Sequence, residues 1–299
     1  MTTNNKDAFR NYLQLEKKYS PHTVNAYLND ISYFEVFNKE NFDQDVIDQV
    51  NYSQIRSWIV SLVDDGVSNT TVNRKIASLK AFYKFLLKIK QIQVNPLLKH
   101  RALKTEKKLQ IPFSEKELVE ALSNNSVPEG FQEVRDKLIV ELFYAAGIRR
   151  AELIHLKLSN VNFMAGTIKV LGKRGKERIL PVLPVVIEQL VLYIKERSLL
   201  DVIDDDEYLF ITKKGLKLSD SFVYRLINSY FSAVSEKVKK SPHILRHTFA
   251  THLLNNGADL NSVKELLGHS SLASTQVYTH SSLSELKKVY QEAHPRNKK

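Results

Sequence analysis

The chain has 299 residues, 43% of them hydrophobic and 26% charged, proportions that exclude an extended disordered chain and suit one large folded domain or two ordinary ones. It contains no cysteine, which excludes a disulfide framework and any thiolate metal site. The net charge is +11; basicity alone points only weakly to nucleic acid, and its distribution along the chain says more.

The first twenty residues, MTTNNKDAFRNYLQLEKKYS, contain no apolar core of the kind a secretory signal needs. The stretch VLPVVIEQLVLYI is interrupted by Pro184 and Glu188 and is too short to cross a bilayer. The expected location is therefore the cytoplasm. Ser20-Pro21 opens a predicted helix with the apolar stripe Val24, Tyr27, Leu28, Ile31 and Phe34. A second predicted helix runs through IRSWIVSLVDDG and stops at Gly66. A third starts near Ser68 and carries Val72, Ile76, Leu79, Tyr83 and Leu86 on one side. At about 100° per residue, Arg74, Lys80, Lys84 and Lys88 fall on the other side. From Arg74 to Lys108 there are eleven Lys/Arg and one acid, Glu106. This patch, which includes Lys75, suits neutralisation of phosphates; the plainer reading is a solvated face followed by a lysine-rich linker.

Residues 95–113 are basic, lack helical periodicity and have prolines near both ends, as a linker does. Ser114 to Glu117 then reads as a capping box that opens a second, mostly helical domain. Its β signal is TIKVL, Thr167 to Leu171, followed by GKRGKE and RILPV, with Gly172 and Gly175 around the turn of a hairpin.

SPHILRHTFATHLL, Ser241 to Leu254, reads as a helix with Ser241 at the N-cap and Pro242 behind it, so that His243 and Arg246 share a face in the first turns. A helix N-terminus already favours an anion, and these two cations strengthen the preference. Leu245, Phe249, Leu253 and Leu254 are expected to face the core, with Gly257 just past the end. His243 and His247 have zinc-helix spacing, but Leu245 and Arg246 stand where a glutamate would be needed and the arginine would repel a metal. His247 and His252 read better as capping or core residues. No P-loop is present: GTIKVLGKR has one residue too many between its glycines and no Ser or Thr after the lysine.

Two further segments belong with this helix. AAGIRRAEL places Arg149 after Gly147-Ile148, with Glu152 three residues on; Arg150 is the rival for the same role. LLGHSSLASTQVYTH places His269 nine residues before Tyr278. Taken in order with GKRGKER, these motifs resemble the tyrosine recombinase (phage integrase) family, and within it the Xer-type site-specific recombinases. The similarity extends over nearly the whole chain, which is expected to begin on the core-binding domain.

The resemblance implies a mainly α fold of two domains clamped around DNA. Residues 1–94 would be a SAM-like helical bundle that binds the core site through Arg74, Lys75, Lys80, Lys84 and Lys88. Residues 114–299 would be a larger, mainly α catalytic domain with a small β-sheet. It implies that Tyr278 attacks the scissile phosphate to give a 3′-phosphotyrosine, that Arg149 and Arg246 hold the non-bridging oxygens, that His243 and His269 bond the phosphate or assist proton transfer, and that Lys173 protonates the 5′-oxygen. Glu152 would orient a basic neighbour, with Lys176 and His280 as bystanders. No metal or other cofactor is implied, since arginine clamps can do the work of a metal and a covalent intermediate keeps the bond energy. The implied partners are duplex DNA with a specific site, a tetramer on two duplexes passing through a Holliday junction, and possible roles for a second recombinase and a DNA translocase at the nucleoid. Chromosome dimer resolution is the expected task, with integration or transposition of a mobile element as the alternative. A type IB topoisomerase uses the same residue types, whereas a DNA-binding protein without chemistry has no need of Tyr278. The tail SSLSELKKVYQEAHPRNKK carries Leu286, Val289 and Tyr290 at helical spacing, capped by Ser284 and ended by Pro295. Such a short helix needs a surface, and the expectation is exchange of residues 283–299 onto a neighbouring protomer.

Overall fold

The computed structural model describes residues 5–106, 110–123, 128–172, 175–232, 234–235, 240–268 and 280–297. The chain divides into two compact units, Met1–Lys108 and Leu109–Lys299. No described helix is long and apolar enough to cross a membrane.

The first unit is helical: α1 (Asn5–Asn11), α2 (Pro21–Phe42), α3 (Tyr52–Asp64) and α4 (Asn69–Lys88). Local chemistry sets the starts. The Ser20 hydroxyl accepts from the Thr23 amide at the head of α2, and Ser68 does the same for Thr71 at the head of α4. Asn51 and Gln54 cap each other reciprocally at the head of α3. The stripes read from the sequence meet in one core, with Val24, Ile31, Phe34, Ile55, Trp58, Val72, Leu79 and Leu86 all buried. Leu97 joins that core, and Asn73 of α4 exchanges two hydrogen bonds with the Leu103 backbone, so the stretch after α4 lies along the first unit.

The second unit begins with the capping box: the Ser114 amide donates to Glu117 Oε2 at 2.7 Å and the Glu117 amide to Ser114 Oγ at 3.2 Å, opening α5 (Glu115–Ser123). Then come α6 (Gly130–Ala146), α7 (Arg150–Ile154), β1 (Val161–Asn162), β2 (Thr167–Leu171), β3 (Glu177–Pro181), α8 (Pro184–Ser198), α9 (Asp220–Ser232), α10 (Pro242–Asn255), α11 (Leu260–Leu267) and α12 (His280–Ala293). The strands form an antiparallel sheet in chain order, with Val170 opposite Arg178. The hairpin stands where the sequence puts it; the two-residue β1 is too short to leave a periodic signal. Ile168 and Val170 of β2 and Arg178 and Leu180 of β3 are among the buried residues of the sheet.

Two features correct the sequence reading. Leu254 is 39% exposed: it lies about 100° around α10 from buried Leu253, past the edge of the core face. The C-terminal helix starts at His280, four residues before Ser284, and packs on its own unit. Leu286, Tyr290 and Ala293 are buried there. The Tyr290 hydroxyl donates to the Ala145 carbonyl at 2.9 Å, and Arg296 pairs with Glu141 at 2.7 Å. Within one chain the apolar stripe covers this surface, and the correction concerns only where the helix begins.

Candidate active site

The site grows from the end of α6. Gly147 closes that helix in a left-handed conformation (φ +54°), and a Cβ there would lie 2.4 Å from the Phe249 ring of α10. Only glycine meets both demands, and the contact seats α10 on the end of α6. Ile148, fully buried, turns the chain, and extended Arg149 leads into α7. One turn on, Glu152 Oε2 accepts the Arg149 backbone N–H at 2.8 Å, and Oε1 accepts Arg149 Nη1 at 2.7 Å.

Arg178 reaches the same carboxylate from β3. Its terminal nitrogens donate to both Glu152 oxygens at 2.6 and 2.9 Å, and its Nε donates to the Leu266 carbonyl at 3.1 Å. From α10, Arg246 donates to the carbonyls of Gly147 and Leu267. The second terminal nitrogen of Arg149 donates to the Gly268 carbonyl at 3.1 Å. Two guanidiniums thus share one carboxylate, and all three bond carbonyls at the ends of α6 and α11.

Charge does not balance here. Arg178 and Arg246 are 6% and 8% exposed, and Glu152 is the carboxylate that Arg178 shares with the partly exposed Arg149, while Arg246 bonds carbonyls. Burial alone would raise the Glu152 pKa; the bonds from Arg178 and Arg149 overcome it and hold it at about 2. Burial, then repulsion from Arg149 and Arg178, pushes Arg246 down to about 9. A cluster left with surplus buried positive charge is a receptor for an anion, and a tetrahedral phosphate offers several oxygens to planar donors.

The structure brings Arg149, Glu152 and Arg246 together. Arg150 instead pairs with Asp220 at 2.8 Å. His243 lies exposed on the first turn of α10, one turn before Arg246. Ser241 takes the N-cap place, but its side chain makes no capping bond. His252 is buried, its Nδ1 3.0 Å from the Tyr144 hydroxyl, while His247 is exposed. Lys173, His269 and Tyr278 lie outside the described residues, and Lys176 is exposed beside the hairpin. Among the described residues no group of three or more His, Asp or Glu side chains could hold a metal ion. Arg178 is the residue that sequence reasoning missed. Its signal was there: alternation along Arg178, Leu180 and Val182 puts an arginine on the buried face of a strand.

In the first unit, Lys80 and Lys84 are exposed on α4. Arg74, itself exposed, and Lys75 both reach buried Asp30. Arg74 grips it with two bonds of 2.6 and 3.0 Å, and Lys75 lies 3.5 Å from it and over the Tyr33 ring. Lys88 pairs with Glu16 at 2.6 Å.

Residues 112–285 match the model of the phage integrase family, and residues 7–90 match that of the phage integrase N-terminal SAM-like domain. The chain belongs to the tyrosine recombinase family. It is 36% identical to tyrosine recombinase XerC of Chlorobaculum parvum, over 97% of this chain and 94% of that one. It is 39% identical to tyrosine recombinase XerC of Thermodesulfovibrio yellowstonii, over 97% and 96%. In fold it resembles the XerH site-specific recombinase, solved bound to a palindromic difH substrate as a post-cleavage complex, with a TM-score of 0.71, 21% identity and coverage of 99% of this chain and 87% of that one. The recombinase is thus an enzyme of site-specific strand exchange, with an N-terminal SAM-like unit and a mainly helical catalytic unit.

Proposed function

We propose that this enzyme recombines two DNA duplexes at a specific site through a covalent 3′-phosphotyrosine. The observation that carries the reading is the surplus of guanidinium over carboxylate around Glu152. In this reading the Tyr278 phenolate attacks the scissile phosphorus, the bond to the 5′-oxygen breaks, and Lys173 supplies the proton that the leaving oxygen takes up. Arg149 and Arg246 hold the non-bridging oxygens, and His243 and His269 bond the phosphate or move the tyrosine proton. A free 5′-hydroxyl from the second duplex then attacks the phosphotyrosine and releases the enzyme. One ester bond is exchanged for another of similar energy at each step, so no ATP is consumed. The arginines contribute because charge develops on the phosphoryl oxygens in the transition state, where fixed cations act most strongly.

Recombination needs two duplexes, so the working assembly is four protomers that exchange one pair of strands and then the other through a Holliday junction. The similarity to XerC proteins makes chromosome dimer resolution the favoured task, and Lys80 and Lys84 are assigned to phosphate contacts. The test is to trap covalent complexes on genomic DNA and sequence the 3′-linked ends. Wild-type adducts should cluster at one sequence, and Tyr278→Phe should bind the same DNA with unchanged affinity and give none. An adduct from Tyr278→Phe would remove the nucleophile assignment; adducts scattered without sequence preference would remove site specificity.

A further inference from the structure

We propose that Arg178 is a positioning residue for strand cleavage, acting through Glu152 on Arg149. The proposal rests on the phosphoryl-transfer reading above. Arg178 does more than pair with an acid. Its two terminal nitrogens take one oxygen each of Glu152, so the plane of its guanidinium fixes the plane of the carboxylate. Arg149 can then use only Oε1 with its side chain, because Oε2 is shared between Arg178 and the Arg149 backbone amide. The second terminal nitrogen of Arg149 is turned to the Gly268 carbonyl instead. Arg149 is thereby held by its edge, at a third of its side-chain exposure, rather than folded flat against the acid.

The surroundings of Arg178 are built to keep it in this pose. Its Nε is taken by the Leu266 carbonyl. A Cβ at Gly268, which has φ +61°, would lie 3.0 Å from Arg178 Cδ and 3.2 Å from two of its nitrogens. Gly268 leaves room for a flat, fully engaged guanidinium. An ammonium of the same charge cannot make the paired bonds to Glu152 and the bond to Leu266 together.

If Arg178 is lost, Glu152 keeps Arg149 as its remaining bonded guanidinium. Arg149 should then rotate to take both carboxylate oxygens and withdraw from the phosphate. DNA affinity, spread over many contacts, should barely change, while the cleavage step slows. Misplacement of a positioned group by about 1 Å costs about 10²-fold in rate, and a loss of that order is expected for Arg178→Lys.

The experiment uses the full chain and a nicked duplex bearing the site recovered by genomic trapping, with single-turnover adduct formation as the readout. Arg178→Lys keeps the charge, and Glu152→Asp keeps the acid but shortens its reach; both should bind DNA as wild type does and cleave about 10²-fold more slowly. The decisive arm replaces one non-bridging oxygen of the scissile phosphate by methyl. On the stereoisomer lacking the oxygen that Arg149 holds, the cost of Arg178→Lys should shrink to within about threefold, since misplacing Arg149 no longer matters. Equal losses on the ordinary linkage and on both methyl isomers would make Arg178 a merely structural residue and overturn the proposal. So would wild-type cleavage by both variants. Absence of any adduct from the wild-type enzyme would remove the phosphotyrosine reading itself, and the role of Arg178 with it.

Discussion

Asp30 in the first unit and Glu152 in the second are buried carboxylates that each bond more than one cation, and the two do so differently. Asp30 in the first unit holds Arg74, Lys75 and the Ser78 hydroxyl. Its principal partner, Arg74, is half exposed, so water shares the surplus charge. Glu152 in the second unit holds Arg178 and Arg149, with Arg246 close by, and two of these three guanidiniums are buried. There the surplus is screened by carbonyls and not by water. The contrast separates two uses of the same chemistry. A buried acid with a solvated arginine ties helices together. A buried acid outnumbered by buried arginines keeps charge in reserve for an incoming anion.

The largest effect should come from removing the acid. Glu152→Gln leaves buried guanidiniums uncompensated and should cost the second unit about 3–5 kcal/mol, read from thermal unfolding. Asp30→Asn should cost the first unit only about 1–2 kcal/mol, because Arg74 can rehydrate. Equal costs would erase the distinction. Next, Arg246→Ala should slow adduct formation by about 10²–10³-fold while leaving DNA affinity nearly intact, and inorganic phosphate, which should raise the melting temperature of the wild-type second unit, should have no effect on this variant. Stabilisation of Arg246→Ala by phosphate equal to that of wild type would place the anion elsewhere.

A further expected effect concerns the C-terminal helix. His294 is fully buried beside Tyr144, Phe249 and Tyr290; it donates from Nε2 to the Tyr144 carbonyl at 3.3 Å and accepts the Arg296 amide on Nδ1. Burial, partly offset by that carbonyl and reinforced by Arg296 and His252, lowers its pKa to about 4. With the folded value below the unfolded one, the undocked tail binds the proton more readily. Docking should be fully stable above pH 6.5 and weaken as pH falls toward 4, by at most about 1.4 kcal/mol per unit. Hydrogen exchange of α12 across this range measures it, and His294→Gln should flatten the profile. The smallest effect belongs to the solvated face: Lys80→Ala and Lys84→Ala should each reduce the slope of log K against log salt by about 0.9, whereas Lys75→Ala, already engaged by Asp30, should change it less.

What could be read in the sequence was what short-range chemistry decides. Ser20, Ser68 and the Ser114–Glu117 pair act within three residues of themselves, and the stripes of α2 and α4 follow from one helical period. Arg149, Glu152 and Arg246 were legible because they sit in motifs, although nothing local says that they meet. The pairing of Arg178 with Glu152 spans 26 positions and that of Arg74 with Asp30 spans 44, so no periodicity announces either. Arg74 and Lys75 also engage a buried acid on another helix, which a helical wheel cannot see. The tail shows the same limit of local reading: its stripe requires an apolar surface, but the wheel does not say whose.

The arginines of the catalytic unit are held largely by main-chain oxygens, those of Gly147, Leu266, Leu267 and Gly268. A carbonyl has no codon of its own. Side-chain substitution can move such a ligand only by disturbing the helix end that presents it, so mutation has little purchase on this half of the pocket. Lineages built on this scaffold would inherit these carbonyl holds on the arginines together with the backbone.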